Sequence, residues 1–207
     1  MLPALTKILT ENKIFFALLA VLYFVGALFL LNLSRVNIHL WFNSFHSVCC
    51  DYFFRYYTEV GNGVTIFTIA VIIYFFDKRL AWSIGLSALL AGVTVQFIKH
   101  FVFPEVMRPS AVIDNLYLVK GVLMNKLFSF PSGHTATAFA MFSTLVFYFK
   151  RKRLKLLFLV FALLVGYSRI YLSQHFLVDV YFGSIIGVLF AMVVFYFFYV
   201  KKRGDER

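Results

Sequence analysis

Long apolar runs separated by short polar turns constrain this chain more than any other feature. A bilayer hydrocarbon core is about 30 Å thick and is crossed by a helix of roughly 20 residues. By that measure the sequence predicts six membrane-spanning helices, at about residues 14–33, 60–76, 81–103, 133–149, 154–172 and 176–199. The predicted fold class is therefore all-α, a polytopic membrane protein.

The composition is difficult to reconcile with a soluble domain. Hydrophobic residues make up 62% of the chain and charged residues only 14%, whereas soluble domains carry about 25% charged residues. The first apolar run is long and no small-residue cleavage site follows it, so we expect it to stay in the protein as a membrane span. Because the sequence contains no internal repeat or low-complexity linker, we expect residues 1–207 to form a single membrane-embedded domain.

Two segments between the predicted spans carry polar residues. In segment 38–57, polar residues at mostly helical spacing alternate with aromatic ones, which predicts an amphipathic helix lying at the membrane interface. The polar residues are His39, Asn43, His46, Asp51 and Arg55. We interpret the two histidines as interfacial rather than catalytic. Segment 104–130 is the longest stretch that is not apolar, and it is expected to be an extramembrane loop.

The distribution of lysine and arginine predicts the orientation in the membrane. Six spans place both termini on one side, together with the turns at 77–80 and 150–153. Thirteen of the 20 basic residues fall on that side: Lys7, Lys13, Lys78, Arg79, Lys150, Arg151, Lys152, Arg153, Lys155, Lys201, Lys202, Arg203 and Arg207. Because positive residues are retained in the cytoplasm, we expect both termini to be cytoplasmic. We attribute the net charge of +11 to anchoring at the membrane surface, and no nucleic-acid partner is expected.

Charged and small residues from distant segments meet on the opposite, extracytoplasmic face. Lys99 lies near the end of the third predicted span, Arg108 lies in the following loop, and Arg169 lies near the end of the fifth span. Three converging cations indicate an anion with several oxygen atoms. Ser132 and Gly133 open the fourth span, where free N–H groups and the helix dipole favour the same anion.

Three further residues on this face are candidates for catalysis. His175 and Asp179 are four residues apart and therefore share a helix face. The carboxylate of Asp179 can accept the proton of one imidazole nitrogen, which leaves the other nitrogen free to attack. His134, at the start of the fourth span, is then available as the general acid. No acidic cluster suited to Mg²⁺ is visible in the sequence, which agrees with the expectation of no metal and no other cofactor that follows from the resemblance described next.

Two of these groups resemble parts of the signature of the type 2 phosphatidic acid phosphatase (PAP2) family. The run Pro131-Ser132-Gly133-His134 is similar to the second part of the signature. The third part reads Ser-Arg, five residues, His, three residues, Asp, and it is matched by Ser168-Arg169, His175 and Asp179. The resemblance covers roughly residues 60–200.

The first part of the family signature shows a departure in this chain. It usually reads Lys, six residues, Arg-Pro, but here eight residues separate Lys99 from Arg108-Pro109. A local bulge or an extra loop turn would let Lys99 keep its role.

The resemblance implies metal-independent hydrolysis of a phosphate ester in two steps. In the first step His175 attacks phosphorus to form a phosphohistidine, while His134 protonates the departing oxygen. Water then releases inorganic phosphate. The resemblance also implies that the phosphate oxygens are bound by Lys99, Arg108, Ser132, Gly133 and Arg169.

Several substrates fit this interpretation. We favour a phosphorylated lipid of the bacterial envelope, either undecaprenyl diphosphate or a lipid A phosphate, with phosphatidylglycerol phosphate and phosphatidic acid as alternatives. The site would face the periplasm from the cytoplasmic membrane, with membrane lipids as neighbours and no obligate protein partner. Segments 38–57 and 104–130 are expected to determine substrate choice. A transporter that binds phosphorylated lipids without cleaving them is a rival, but it would not need His134 or the His175–Asp179 pair.

Overall fold

The computed structural model describes residues 2–201, and this part of the chain is 77% helical and contains no strand. The predicted all-α fold class is therefore confirmed. Ten α-helices are formed: α1 Leu2–Glu11, α2 Lys13–Asn32, α3 Arg35–Asn43, α4 Val48–Tyr57, α5 Gly63–Tyr74, α6 Lys78–Phe97, α7 Pro109–Val112, α8 Gly133–Tyr148, α9 Lys152–Tyr171 and α10 Leu177–Phe195. A 3₁₀ turn, Thr58–Gly61, lies between α4 and α5. A π-helical turn, Ile98–Val102, extends α6, and another, Tyr196–Lys201, extends α10.

Within residues 2–201, four helical segments are long and apolar enough to cross a bilayer. They are Lys13–Asn32, Lys78–Val102, Lys152–Tyr171 and Leu177–Val200. A fifth is possible if the segment Val48–Gly61 and α5, which meet at a bend of 62°, form one broken span. The predicted count of six spans is not confirmed, because α5 has only 12 residues and α8 only 16. At 1.5 Å per residue, α8 is about 24 Å long, shorter than the hydrocarbon core.

Helix α8 occupies the centre of the bundle and packs against α6, α9 and α10. Most of its side chains are buried, including Phe139, Met141 and Val146. Helix α2, in contrast, is largely exposed along its apolar length, with Phe15 and Leu19 buried. A helix that is apolar all round yet exposed is suited to lipid contact. The bundle therefore holds α8 inside a ring of helices whose outer faces are apolar.

Small residues bring α8 and α10 into close contact. A Cβ atom added at Gly183 would lie 2.6 Å from the backbone oxygen of Ser132, and one added at Gly187 would overlap the backbone oxygen of Ala136. Real Cβ atoms do not approach a backbone this closely, so only glycine permits this spacing. The close approach places the start of α8 directly beside the first turns of α10.

Segment 38–57, predicted as one amphipathic helix, is instead two helices. Helix α3 ends at Asn43, and α4 begins after Ser47, whose hydroxyl accepts a hydrogen bond from the Cys50 backbone N–H. Serine is a preferred N-cap because its oxygen satisfies a free donor of the first turn, and that favours a new helix here.

Segment 104–130 is a loop, as predicted, apart from the short α7. Paired hydrogen bonds join it to α3, with Asn43 Nδ2 donating to the Tyr117 oxygen and the Tyr117 N–H donating to Asn43 Oδ1, both at 2.9 Å. The Tyr117 hydroxyl also donates to Asp51 of α4 at 2.7 Å. The two segments expected to determine substrate choice are therefore in contact with each other.

Candidate active site

His175 and Asp179 form a buried pair at the junction of α9 and α10. His175 Nδ1 lies 3.3 Å from Asp179 Oδ2, and each residue is 1% exposed. The same carboxylate oxygen accepts a hydrogen bond from Ser129 Oγ at 2.5 Å and from the Phe176 backbone N–H at 2.9 Å. The carboxylate is thus held firmly against Nδ1. Nε2 lies on the far side of the imidazole ring, away from the carboxylate.

The surroundings of His175 favour the neutral form of its ring. Burial lowers the pKa of His175 well below its usual value, and the positive charges of Lys99, Arg169 and Arg108 lower it further. An imidazole must be neutral to act as a nucleophile. At neutral pH the ring is therefore in the form that can attack. All three predicted cations thus lie within electrostatic range of the His175 ring.

These three cations are buried without an acidic partner. Lys99, Arg108 and Arg169 are each 7–8% exposed. None of them lies within ion-pair distance of a carboxylate in the described part of the chain. Because a buried charge is costly unless it is paired, three such cations around one histidine create a strong preference for an anion.

A π-helical turn presents Lys99. The Phe103 N–H donates to the Ile98 oxygen at 2.9 Å, five residues back, and Lys99 lies inside this widened turn. Such turns insert an extra residue into a helix and are frequent at functional sites. The turn is a local bulge of the kind that the long spacing between Lys99 and Arg108 requires.

Gln174, which the sequence analysis did not single out, positions Arg108. Arg108 Nη1 donates to Gln174 Oε1 at 2.9 Å, and Arg108 Nε donates to the Leu127 oxygen at 3.0 Å. The Gln174 amide in turn donates to the Leu123 oxygen at 3.0 Å. No distinct signal for it is present in the sequence, because Gln174 lies between two other polar residues.

Arg169 is positioned by Thr58, a second residue that the sequence analysis missed. Arg169 Nη1 donates to Thr58 Oγ1 at 2.6 Å, while its buried Nε has no partner in the described part of the chain. The backbone oxygen of Arg169 accepts from the N–H groups of Gln174 and His175 at 3.0 and 3.1 Å. One tight turn therefore fixes Arg169 and His175 relative to each other.

The start of α8 completes the cluster. The Ser132 N–H donates to the Asp179 backbone oxygen at 2.9 Å, and Ser132 Oγ accepts from Thr135 Oγ1 at 2.9 Å. Gly133 is the first residue of α8, where backbone N–H groups have no intrahelical acceptor. His134 is half-buried and lies within electrostatic range of Arg169 and His175. The structure thus brings all eight predicted site residues together.

His39 and His46, interpreted as interfacial, pack against segments that border the site. Their location at the membrane interface remains a prediction. His39 is 1% exposed, and its Nε2 lies 3.1 Å from the hydroxyl of Ser173, two residues before His175. Burial lowers the pKa of His39 to about 4. His46 lies between the rings of Tyr117 and Tyr171 at 4.2 Å from each. Both histidines therefore support the loops around the site.

Among residues 2–201, no group of three or more His, Cys, Asp or Glu side chains is arranged to hold a metal ion. The side chains that surround His175 are mainly cationic, and cations repel metal ions. The expectation that the reaction needs no metal remains a prediction.

Comparison with known proteins agrees with this geometry. Residues 80–203 match the PAP2 superfamily. The chain is 32% identical over 169 residues to a lipid A 4'-phosphatase of Bacteroides thetaiotaomicron, covering 76% of this chain and 73% of that protein. The crystal structure of Aquifex aeolicus LpxE superposes with a TM-score of 0.70 at 26% identity, covering 79% of this chain and 96% of that one. A PAP2-type phosphatidylglycerolphosphate phosphatase of Bacillus subtilis shares the fold, with a TM-score of 0.62 at 23% identity over 95% of this chain and 96% of that one.

The apolar helical fold and these relatives together identify an integral membrane lipid phosphatase. More particularly, the chain belongs to the PAP2 superfamily.

Proposed function

We propose that this protein removes a phosphate group from a phosphorylated envelope lipid through a phosphohistidine formed at His175. The observation that carries the proposal is the group of three buried cations without acidic partners around the His175–Asp179 pair. Such a group has the charge and the donors to bind a phosphate ester in front of a neutral histidine.

The proposed reaction has two steps. The lone pair of His175 Nε2 forms a bond to phosphorus, the bond from phosphorus to the lipid oxygen breaks, and His134 gives that oxygen a proton. Water then attacks the phosphohistidine, His134 takes a proton from the water, and the phosphorus–nitrogen bond breaks. The departing products are the dephosphorylated lipid and inorganic phosphate.

The remaining site residues bind the phosphate during both steps. Arg108 and Arg169 offer forked donors, Lys99 offers a point charge, Gly133 offers its backbone N–H at the start of α8, and Ser132 offers its hydroxyl. Asp179 holds the Nδ1 proton and stabilises the positive charge that develops on His175. A transporter of phosphorylated lipids would need the cations, but it would gain nothing from this histidine–carboxylate pair.

The similarity to a lipid A 4'-phosphatase favours a lipid A phosphate as substrate. Undecaprenyl diphosphate is the second candidate, and phosphatidylglycerol phosphate and phosphatidic acid remain alternatives. Since the site takes residues from Thr58 through Asp179, we propose that residues 1–207 act as one domain.

The test is phosphate release by the purified protein from a panel of these four lipids, with and without a metal chelator. We expect release from at least one lipid, with the rate unchanged by the chelator because cations rather than a metal balance the phosphate charge. Loss of all activity with the chelator, restored by added metal, would show that the metal-independent mechanism is wrong. Release from none of the lipids would contradict the proposed function.

We further propose that the protein lies in the bacterial cytoplasmic membrane with its termini in the cytoplasm and its site on the periplasmic face, following the excess of positive charge near the termini. Reporter fusions at residue 151 are expected to be active in the cytoplasm, and fusions at residue 120 in the periplasm. The reverse pattern would overturn the orientation.

A further inference from the structure

A groove of about 900 Å³ lies between α5, α6 and α8. Its walls are almost entirely apolar, with Phe67, Leu89, Val93 and Phe97 among the lining residues. Most of these side chains belong to the membrane-spanning segment Lys78–Val102. The groove is thus a long apolar space at the depth where a hydrocarbon chain lies.

One end of the groove borders the segments that carry the candidate active site. Thr137, which lines it, lies one turn after His134 and donates from Oγ1 to the Gly133 oxygen at 3.0 Å. His100, which also lines it, directly follows Lys99. The His100 ring lies 4.7 Å from that of Phe128, the neighbour of Ser129. A lipid whose leaving oxygen is protonated by His134 would therefore pass into this groove.

Two polar side chains interrupt the apolar lining. Gln96 and His100 are four residues apart, line the same groove and are both exposed. Neither side chain forms a hydrogen bond within residues 2–201. Polar side chains in a membrane-embedded segment are costly, so their presence indicates a polar group on the ligand.

This polar pair distinguishes two kinds of phosphorylated lipid. A polyprenyl diphosphate has a pure hydrocarbon chain beyond its phosphates, with no group for Gln96 or His100 to bind. An acylated lipid carries ester or amide carbonyls, and often hydroxyls, between its phosphate and its hydrocarbon chains. Those groups would meet the pair just where the groove leaves the site.

We propose that Gln96 and His100 hydrogen-bond to acyl carbonyl or hydroxyl groups of the substrate, and thereby select acylated lipid phosphates over polyprenyl diphosphates. The inference rests on the proposed function and narrows its substrate class.

The test compares kcat/KM for lipid A and for undecaprenyl diphosphate in the same detergent micelles. Gln96→Leu and His100→Phe are each expected to lower kcat/KM for lipid A by about 10-fold, the loss of one good hydrogen bond. For undecaprenyl diphosphate, kcat/KM of each variant should stay within about twofold of the wild-type value. Thr94→Val is the matched control, because it removes a hydroxyl from the same helix at a position outside the groove lining, and it should leave both values unchanged.

The outcomes distinguish failure of the selectivity proposal from failure of the proposed phosphatase function. If Gln96→Leu and His100→Phe leave the ratio of kcat/KM for lipid A to kcat/KM for undecaprenyl diphosphate unchanged, the selectivity proposal is wrong. The phosphatase function would still stand. A wild-type preference for undecaprenyl diphosphate would also refute it. If the wild type releases phosphate from neither lipid, the proposed function itself fails, and this inference fails with it.

Discussion

Replacing His175 with alanine is expected to lower phosphate release by on the order of 10⁴-fold or more, as is typical for removal of a catalytic nucleophile. The reason is that Nε2 of His175 forms the only covalent bond proposed between protein and substrate. Asp179, Lys99, Arg108 and Arg169 would remain in place to bind phosphate. We therefore expect kcat to fall while lipid binding persists.

Single-turnover phosphate release from lipid A is measured for the purified variant. A second measurement detects phosphate covalently bound to the protein and tests whether acid removes it. The wild type should form an acid-labile phosphoenzyme, and His175→Ala should form none. Undiminished turnover in this variant would refute the nucleophile assignment.

His134→Ala provides the comparison that separates the two histidines. Without a general acid, hydrolysis of a lipid phosphate is expected to slow by about 10²–10⁴-fold. A substrate such as p-nitrophenyl phosphate has a leaving group that needs no proton, so the same variant should hydrolyse it with much less loss. His175→Ala should hydrolyse neither compound. If the two variants respond identically to both substrates, the division of roles is wrong.

The second large effect is expected from Gly187→Ala in α10. The new methyl group would overlap the backbone oxygen of Ala136 and would lie 2.7 Å from Phe139 Cβ. The clash is with the backbone of α8, which cannot move aside without separating the helices. Overpacking a close contact costs about 1–3 kcal/mol, and we expect the upper end of that range.

Activity should fall together with stability, because α10 carries Asp179 and α8 carries Ser132, whose N–H bonds to the Asp179 oxygen at 2.9 Å. The measurement is the thermal unfolding midpoint in detergent, followed by intrinsic fluorescence. Gly85→Ala in α6 is the matched control, since its added methyl group would meet the nearest atom, Ala70 Cβ, at 3.9 Å. Equal midpoints for the two variants would show that the α8–α10 contact is looser than the structure indicates.

Positioning of the site relied on residues whose importance is not visible in the sequence. Gln174 and Thr58 orient the two arginines, and Ser129 bonds to the carboxylate of Asp179. Each lies in a turn or loop outside the α-helices, where a polar residue is ordinary. Their roles depend on partners 50 to 111 residues away in the chain. No local pattern records a contact over such a distance.

Differences between the predicted and the observed elements have a similar physical origin. Hydropathy marks where apolar residues lie, but it does not show whether lipid or protein surrounds them. Helix α8 is apolar because it is buried among α6, α9 and α10, and with 16 residues it is shorter than a membrane span. Segment 38–57 has helical spacing throughout, yet Ser47 starts a new helix within it.

By itself, the sequence determined that the chain is helical and membrane-embedded, because so many apolar side chains require a lipid solvent and helices satisfy their own backbone hydrogen bonds. It also pointed to the pairing of His175 with Asp179, since the two residues are only four apart in the chain. The shared helix face expected for them is not formed, because His175 lies in the turn before α10 and Asp179 lies in its first turn. Only the tertiary structure decided how the site is assembled. It brought α8 against α10, buried the cations without acidic partners and formed the groove beside His134. These features arise where helices that are far apart in sequence pack together, and such packing is fixed by the shape of the whole bundle.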